Sequence, residues 1–151
     1  MIIAVASDHA GYQAKKHIID LLKQLSIEIK DFGCFSDESV DYPHFGAVLA
    51  GAVANGQYQR GILICGTGIG MSIVANKFPG VRAALCHDEF TAKACREHND
   101  ANILVMGARV LDEQQMEQIT KIWLDTPFAG GRHENRLKLI TGIEKQIKNN
   151  Y

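Results

Sequence analysis

The sequence predicts an α/β fold, a doubly wound five-stranded parallel sheet with helices on both faces. Three observations predict it. Five short apolar runs of strand character recur along the chain, the pattern of a parallel sheet covered on both faces. Segments with apolar residues at helical spacing lie between them. Each connection is long enough for a right-handed crossover, which covers the sheet on both faces.

Residues 2–6 (IIAVA) read as a buried strand. Ile18, Leu21, Leu22 and Leu25 then recur at helical spacing, predicting a helix from Tyr12 to Leu25. Residues 27–32 (IEIKDF) alternate as a strand does, and the polar stretch 33–42 reads as a loop. Pro43 suits the first turn of a helix that continues through an Ala-rich segment to about Asn55. Residues 61–65 (GILIC) form the third strand, and Gly70 to Lys77 a short helix stopped by Phe78-Pro79-Gly80. Residues 82–86 (RAALC) are the fourth strand, and Asp88 caps a helix reaching about His98. Residues 102–106 (NILVM) are the fifth. Met116, Ile119 and Trp123 line one face of a helix from about Asp112 to Leu124. After the loop 125–131, Leu137, Ile140, Ile143 and Ile147 stripe a last helix over about 132–149. No repeat, low-complexity segment or linker interrupts residues 1–151, so a single domain is expected.

Composition narrows the function. Hydrophobic residues are 46%, charged residues 22%, and the net charge is −1, with no basic stripe of the kind that nucleic-acid binders carry. No apolar run approaches a membrane span, and the N-terminal run is too short for a signal peptide. Cys34, Cys65, Cys86 and Cys95 form no C-x-x-C pair, so no metal is expected and the thiols suit a reducing cytoplasm.

In such sheets ligands bind beyond the carboxyl ends of the strands, where strand order reverses. Three of those ends are chemically rich: Ser7-Asp8-His9, Cys65-Gly66-Thr67-Gly68 and Gly107-Ala108-Arg109. Gly66, Gly68 and Gly70 let successive N–H groups converge ahead of the next helix, a nest for an anion, with phosphate the first candidate. The loop is neither a P-loop, which needs Lys-Ser/Thr where Met71-Ser72 stands, nor a dinucleotide fingerprint, whose third glycine would replace Met71. A tight turn without a ligand accounts for the glycines equally well.

Cys65 immediately precedes the nest, where the positive end of a helix favours the thiolate. Free cysteines are as often inert core residues. Its place beside the nest favours chemistry, as nucleophile or general base. Cys86 and Cys95 read as core. Asp8 reads alone as a helix cap, His98-Asn99 as a helix end, and Tyr42 as a packed ring. Arg132 and Arg136 share one face at the start of the last helix, where cations oppose the dipole unless an anion sits in front. GGRHENR therefore reads as a phosphate clamp, with a solvated charged face the plain alternative. A base, an oxyanion nest, an imidazole and two arginines are what an aldose–ketose isomerase of a phosphosugar uses, and that route needs no metal or cofactor.

SDHAG (7–11), DYPHF (41–45), ILICGTGIGMSIVANKFPGVRAA (62–84), HNDANILVMGARV (98–110) and GGRHENR (130–136) recur in the order and spacing of a known family. Across nearly its whole length the sequence resembles the ribose-5-phosphate isomerase B family, which includes galactose-6-phosphate and allose-6-phosphate isomerases. The resemblance implies a Rossmann-like fold and interconversion of D-ribose 5-phosphate and D-ribulose 5-phosphate through an enediolate, in the pentose phosphate pathway. It implies Cys65 as proton acceptor, His98 as the group that opens the sugar ring, and Thr67 assisting proton transfer. Gly66, Gly68, Ile69 and Gly70 would hold the enediolate oxygens. Asp8, His9, Tyr42 and Asn99 would contact substrate, and Arg109, Arg132 and Arg136 substrate or phosphate. It also implies a homodimer, or a tetramer, with the last helix at the interface and His98 and Asn99 supplied by the neighbouring subunit. Relatives that lack the cysteine carry a glutamate where Met71 stands, so the cysteine branch fits. A six-carbon phosphosugar isomerase and a non-catalytic phosphosugar or nucleotide binder remain the competing expectations.

Overall fold

The computed structural model describes residues 1–150, in which strands and helices alternate. They are β1 (Ile2–Ser7), α1 (Tyr12–Gln24), β2 (Glu28–Asp31), α2 (Tyr42–Ala54), β3 (Arg60–Cys65), α3 (Ile69–Ala75), β4 (Ala83–Leu85), α4 (Glu89–Asn99), β5 (Ile103–Gly107), α5 (Glu113–Asp125) and α6 (Arg132–Asn150). All strands are parallel, in the order β2-β1-β3-β5-β4. The register sets Val5 beside Ile62 and Ile62 beside Leu104.

Strand side chains alternate between two buried clusters, as period-2 geometry requires. Ile3, Val5, Ile62, Ile64, Leu104 and Met106 face one cluster, closed by Ile18 and Leu22 of α1, Ala92 of α4 and Trp123 of α5. Ala4, Ala6, Leu63, Cys65, Ile103 and Val105 face the other, closed by Leu49 and Ala50 of α2 and Met71 of α3. Burying each Leu or Ile fully is worth about 1.5–3 kcal/mol, so these faces fix strand register.

The helices start where their caps dictate. Asp88 and Thr91 form a reciprocal capping box at α4, and Asp112 and Gln115 another at α5. Pro43 occupies the first turn of α2. Two expectations need correcting. Tyr42 opens α2 rather than closing a loop. Leu25 lies past the end of α1 and is exposed, because the buried stripe ends at Leu22. The stripe of α6 also faces outward: Ile140, Ile143 and Ile147 are exposed, with Leu139 beside them.

The chain runs from β1 outward to β2 and then returns past β1 to β3. Strand order therefore reverses between β1 and β3, whose carboxyl ends are Ser7 and Cys65. A crevice opens at such a point because the connections leave in opposite directions.

Candidate active site

Cys65 ends β3 with its side chain on the α2–α3 face. It is 5% exposed, and that opening gives onto a cavity of about 420 Å³ over the switch point. The N–H of Gly68 donates to Cys65 Sγ at 3.1 Å. Gly68 sits at φ +79°, and a Cβ there would fall 2.4 Å from Leu85 Cδ1 and 3.1 Å from the Met106 carbonyl carbon. Only glycine fits that turn, and the turn aims the amide back at sulfur. A fixed donor of this kind stabilises charge on the sulfur. The next amide, of Ile69, donates to Thr67 Oγ1 at 3.3 Å, leaving the Thr67 hydroxyl proton for a ligand. The nest thus spends the Gly68 amide on sulfur, whereas the sequence assigned it to ligand oxygens.

The end of β1 forms the opposite wall. Asp8 is buried, lines the cavity, and accepts from Gly11 N–H at 2.9 Å, so it both caps the entry to α1 and faces the ligand space. His9 Nδ1 lies 3.2 Å from both the N–H and the carbonyl oxygen of Val40, so Val40 anchors the ring in either tautomer. Tyr42 reaches in from α2 and rests on Gly70, where an added Cβ would lie 2.6 Å from the ring carbons Cε2 and Cζ. Arg109 follows β5, donates its N–H to the Gly66 carbonyl at 2.9 Å, and extends its side chain over Gly66 into the cavity.

Asp8, His9, Tyr42, Gly66, Thr67, Ile69, Gly70 and Arg109 therefore share one cavity with Cys65. His98, Asn99, Arg132 and Arg136 do not line it. His98 and Asn99 are the last residues of α4, and Arg132 and Arg136 stand exposed on the first turns of α6. A larger cleft, about 520 Å³ between α4 and α5, holds none of these groups.

Sequence reasoning missed two residues. The His133 ring stacks on His98, centroids 4.3 Å apart and planes 11° from parallel. Burial holds the His133 imidazole below its ordinary range, helped by His98, Arg132 and Arg136 and opposed by Glu97. No spacing rule links positions 98 and 133. Lys15 is 1% exposed; its Nζ donates to both Asp31 oxygens at 2.6 and 2.7 Å and to the Cys34 carbonyl at 2.7 Å. It ties down the segment after β2 that carries Val40. Its one sequence signal is its place three residues before Ile18 on the apolar stripe. Cys86 and Cys95 lie in the core as expected, their sulfurs 3.7 Å apart; the hydrogen bond to Cys95 and burial push the Cys86 thiol up, away from reactivity. Among the described residues no cluster of His, Cys, Asp or Glu is placed to hold a metal, and no helix is long and apolar enough to cross a membrane.

A thiol with its own main-chain donor, in a crevice sized for a small ligand and lined by Asp8, His9, Thr67 and Arg109, suits one class: α/β enzymes that move protons on small polar substrates. Residues 3–140 match the Ribose/Galactose Isomerase family. Ribose-5-phosphate isomerase B of Escherichia coli is 44% identical over 95% of this chain and 97% of that protein. D-erythrulose-4-phosphate isomerase of Pectobacterium atrosepticum is 41% identical over 97% of each. The structure of Clostridium thermocellum ribose-5-phosphate isomerase B superposes with a TM-score of 0.95 at 50% identity, over 97% of this chain and 99% of that one. That of Mycoplasma genitalium ribose-5-phosphate isomerase B with bound ribulose-5-phosphate superposes at 0.91 and 40% identity, over 95% and 96%. The chain belongs to the ribose/galactose isomerase family and is a sugar phosphate isomerase.

Proposed function

We propose that the protein interconverts D-ribose 5-phosphate and D-ribulose 5-phosphate through a cis-enediolate, as a step of the pentose phosphate pathway. The observation that carries this reading is the Gly68 N–H on Cys65 Sγ at 3.1 Å, inside the cavity that Asp8, His9, Tyr42 and Arg109 surround. The relatives named for ribose 5-phosphate, and the one with ribulose-5-phosphate bound, support the five-carbon substrate.

In this mechanism His98 gives a proton to the ring oxygen of the furanose as the anomeric hydroxyl loses one, and the aldehyde is released. The Cys65 thiolate takes the C2 proton and returns it to C1. Charge on the enediolate oxygens falls to the Thr67 hydroxyl and to the loop amides committed neither to sulfur nor to Thr67 Oγ1; one such donor is worth about 3–4 kcal/mol of barrier. His9 and Asp8 hold sugar hydroxyls. Arg132 and Arg136 take the phosphate, whose binding energy orients carbons it does not touch.

His98, Asn99, Arg132 and Arg136 come from a second copy in this reading, making the protein a homodimer whose subunit is one isomerase domain. The exposed apolar residues Ile69 and Ile73 of α3, at the cavity mouth, and Ile140, Ile143 and Ile147 of α6 suit such an interface. Four free cysteines fit a cytoplasmic setting.

The test is incubation with ribose 5-phosphate in heavy water. Turnover with deuterium entering the sugar at the carbon that receives the transferred proton is expected. Binding without exchange points to a non-catalytic sensor. Faster exchange into allose 6-phosphate or D-erythrulose 4-phosphate would move the assignment to that chain length.

A further inference from the structure

The His98–His133 stack lies outside the cavity, and His133 has no role assigned so far. It is a close, nearly parallel contact, 4.3 Å between centroids, joining the last turn of α4 to the first turn of α6. The rings differ in surroundings. His133 is buried, whereas His98 is exposed. The charged groups facing His133 are Arg132 and Arg136 on its own helix, and Glu97 and His98 on α4; the cations outnumber the one carboxylate.

Two imidazolium rings at this distance repel, so the pair accepts one proton far more readily than two. Burial and the two arginines decide which ring stays neutral, and it is His133. His98 thus packs on a flat aromatic face whose own charged form is disfavoured. The stack also restrains χ1 and χ2 of an exposed side chain that would otherwise lose alignment to rotamer freedom.

We propose that His133 is a positioning residue: by stacking face to face on His98 it fixes the plane of the His98 ring. The proposal rests on the reading that His98 opens the sugar ring, and it concerns that step alone. Ribulose 5-phosphate cannot cyclise through its phosphorylated O5, so exchange of its C1 proton needs no ring opening. Ribose 5-phosphate, a furanose in solution, does need it.

Two measurements test this together. The first is an NMR titration of both imidazoles in the wild type and in His98→Gln. His133 should titrate below an ordinary imidazole in the wild type and move up when His98 is replaced. A His133 midpoint at or above the ordinary value, or one unmoved by His98→Gln, overturns the proposal, and this readout does not depend on what the enzyme turns over. The second compares His133→Ala and His133→Phe in two assays, turnover of ribose 5-phosphate and deuterium exchange into ribulose 5-phosphate. His133→Ala should lose about tenfold more in the first assay than in the second, the scale of a misaligned general acid. His133→Phe, which keeps the flat neutral face, should recover most of that loss. Equal losses in both assays, or no recovery by phenylalanine, would reduce His133 to a packing residue. Failure of the wild type to exchange ribulose 5-phosphate would sink the functional reading instead, leaving the titration to decide the stack.

Discussion

The main-chain N–H of Gly68 donates to the sulfur of Cys65 at 3.1 Å, within a turn that only glycine can make. The donor stabilises negative charge on sulfur, and the cavity gives a small electrophile access to it. Cys65 should therefore be alkylated by iodoacetamide before Cys34, Cys86 and Cys95. Exposure alone ranks them otherwise, since Cys95 is 8% exposed and Cys65 5%, and the hydrogen bond with Cys86 also lowers the Cys95 thiol; what sets Cys65 apart is the cavity it opens onto. Peptide mapping after brief labelling checks this; first modification at Cys95 would contradict it.

Tyr42 and Gly70 are in contact with no space between them. Gly70→Ala sets a methyl group 2.6 Å from the tyrosine ring and pushes that ring out of its place against the loop. The expected result is KM raised severalfold with a smaller change in kcat, the mark of lost ground-state binding. Steady-state kinetics with ribose 5-phosphate measures it.

Arg136 lies one turn after Arg132 on an exposed face of α6. Removing a charge-assisted bond to phosphate costs about 1.5–3 kcal/mol, so Arg136→Ala should weaken binding of a phosphosugar analogue roughly 10- to 100-fold. Calorimetry reads this directly. Unchanged affinity removes the arginine from phosphate binding.

His133 ties stability to pH. Burial depresses its folded-state value, so between that value and the ordinary one near 6.5 the unfolded chain binds more protons than the native one. Stability is then complete above about pH 6.5 and declines as pH falls toward the folded-state value. Urea midpoints from pH 7.5 to 5, at one protein concentration, should fall more steeply for the wild type than for His133→Phe. Parallel slopes would contradict the shift.

Sheet, helix order and the Asp88 cap were legible in the sequence because each rests on local periodicity or on a cap a few residues away; the Asp112 cap and the return bonds of Thr91 and Gln115 appear only in the structure. Cys65, its glycine turn, Asp8, His9 and Arg109 could be placed together because the switch-point rule brings the ends of separate strands to one crevice. What escaped depends on distance in sequence. The His98–His133 stack spans 35 positions with no repeating pattern. Lys15 looks like an ordinary helix-surface lysine until β2 supplies Asp31. The direction of the Gly68 amide follows from one backbone torsion, which the letters G-T-G-I-G do not specify.

In the proposed mechanism Cys65 carries hydrogen between neighbouring carbons of an opened sugar. Cys65→Ala, incubated with ribulose 5-phosphate in heavy water and followed by NMR at C1, tests it most directly. A wild-type rate reduced about 10²–10⁴-fold, with phosphosugar affinity retained, is predicted for loss of a general base. Deuterium entering at close to the wild-type rate would mean that another group does the work.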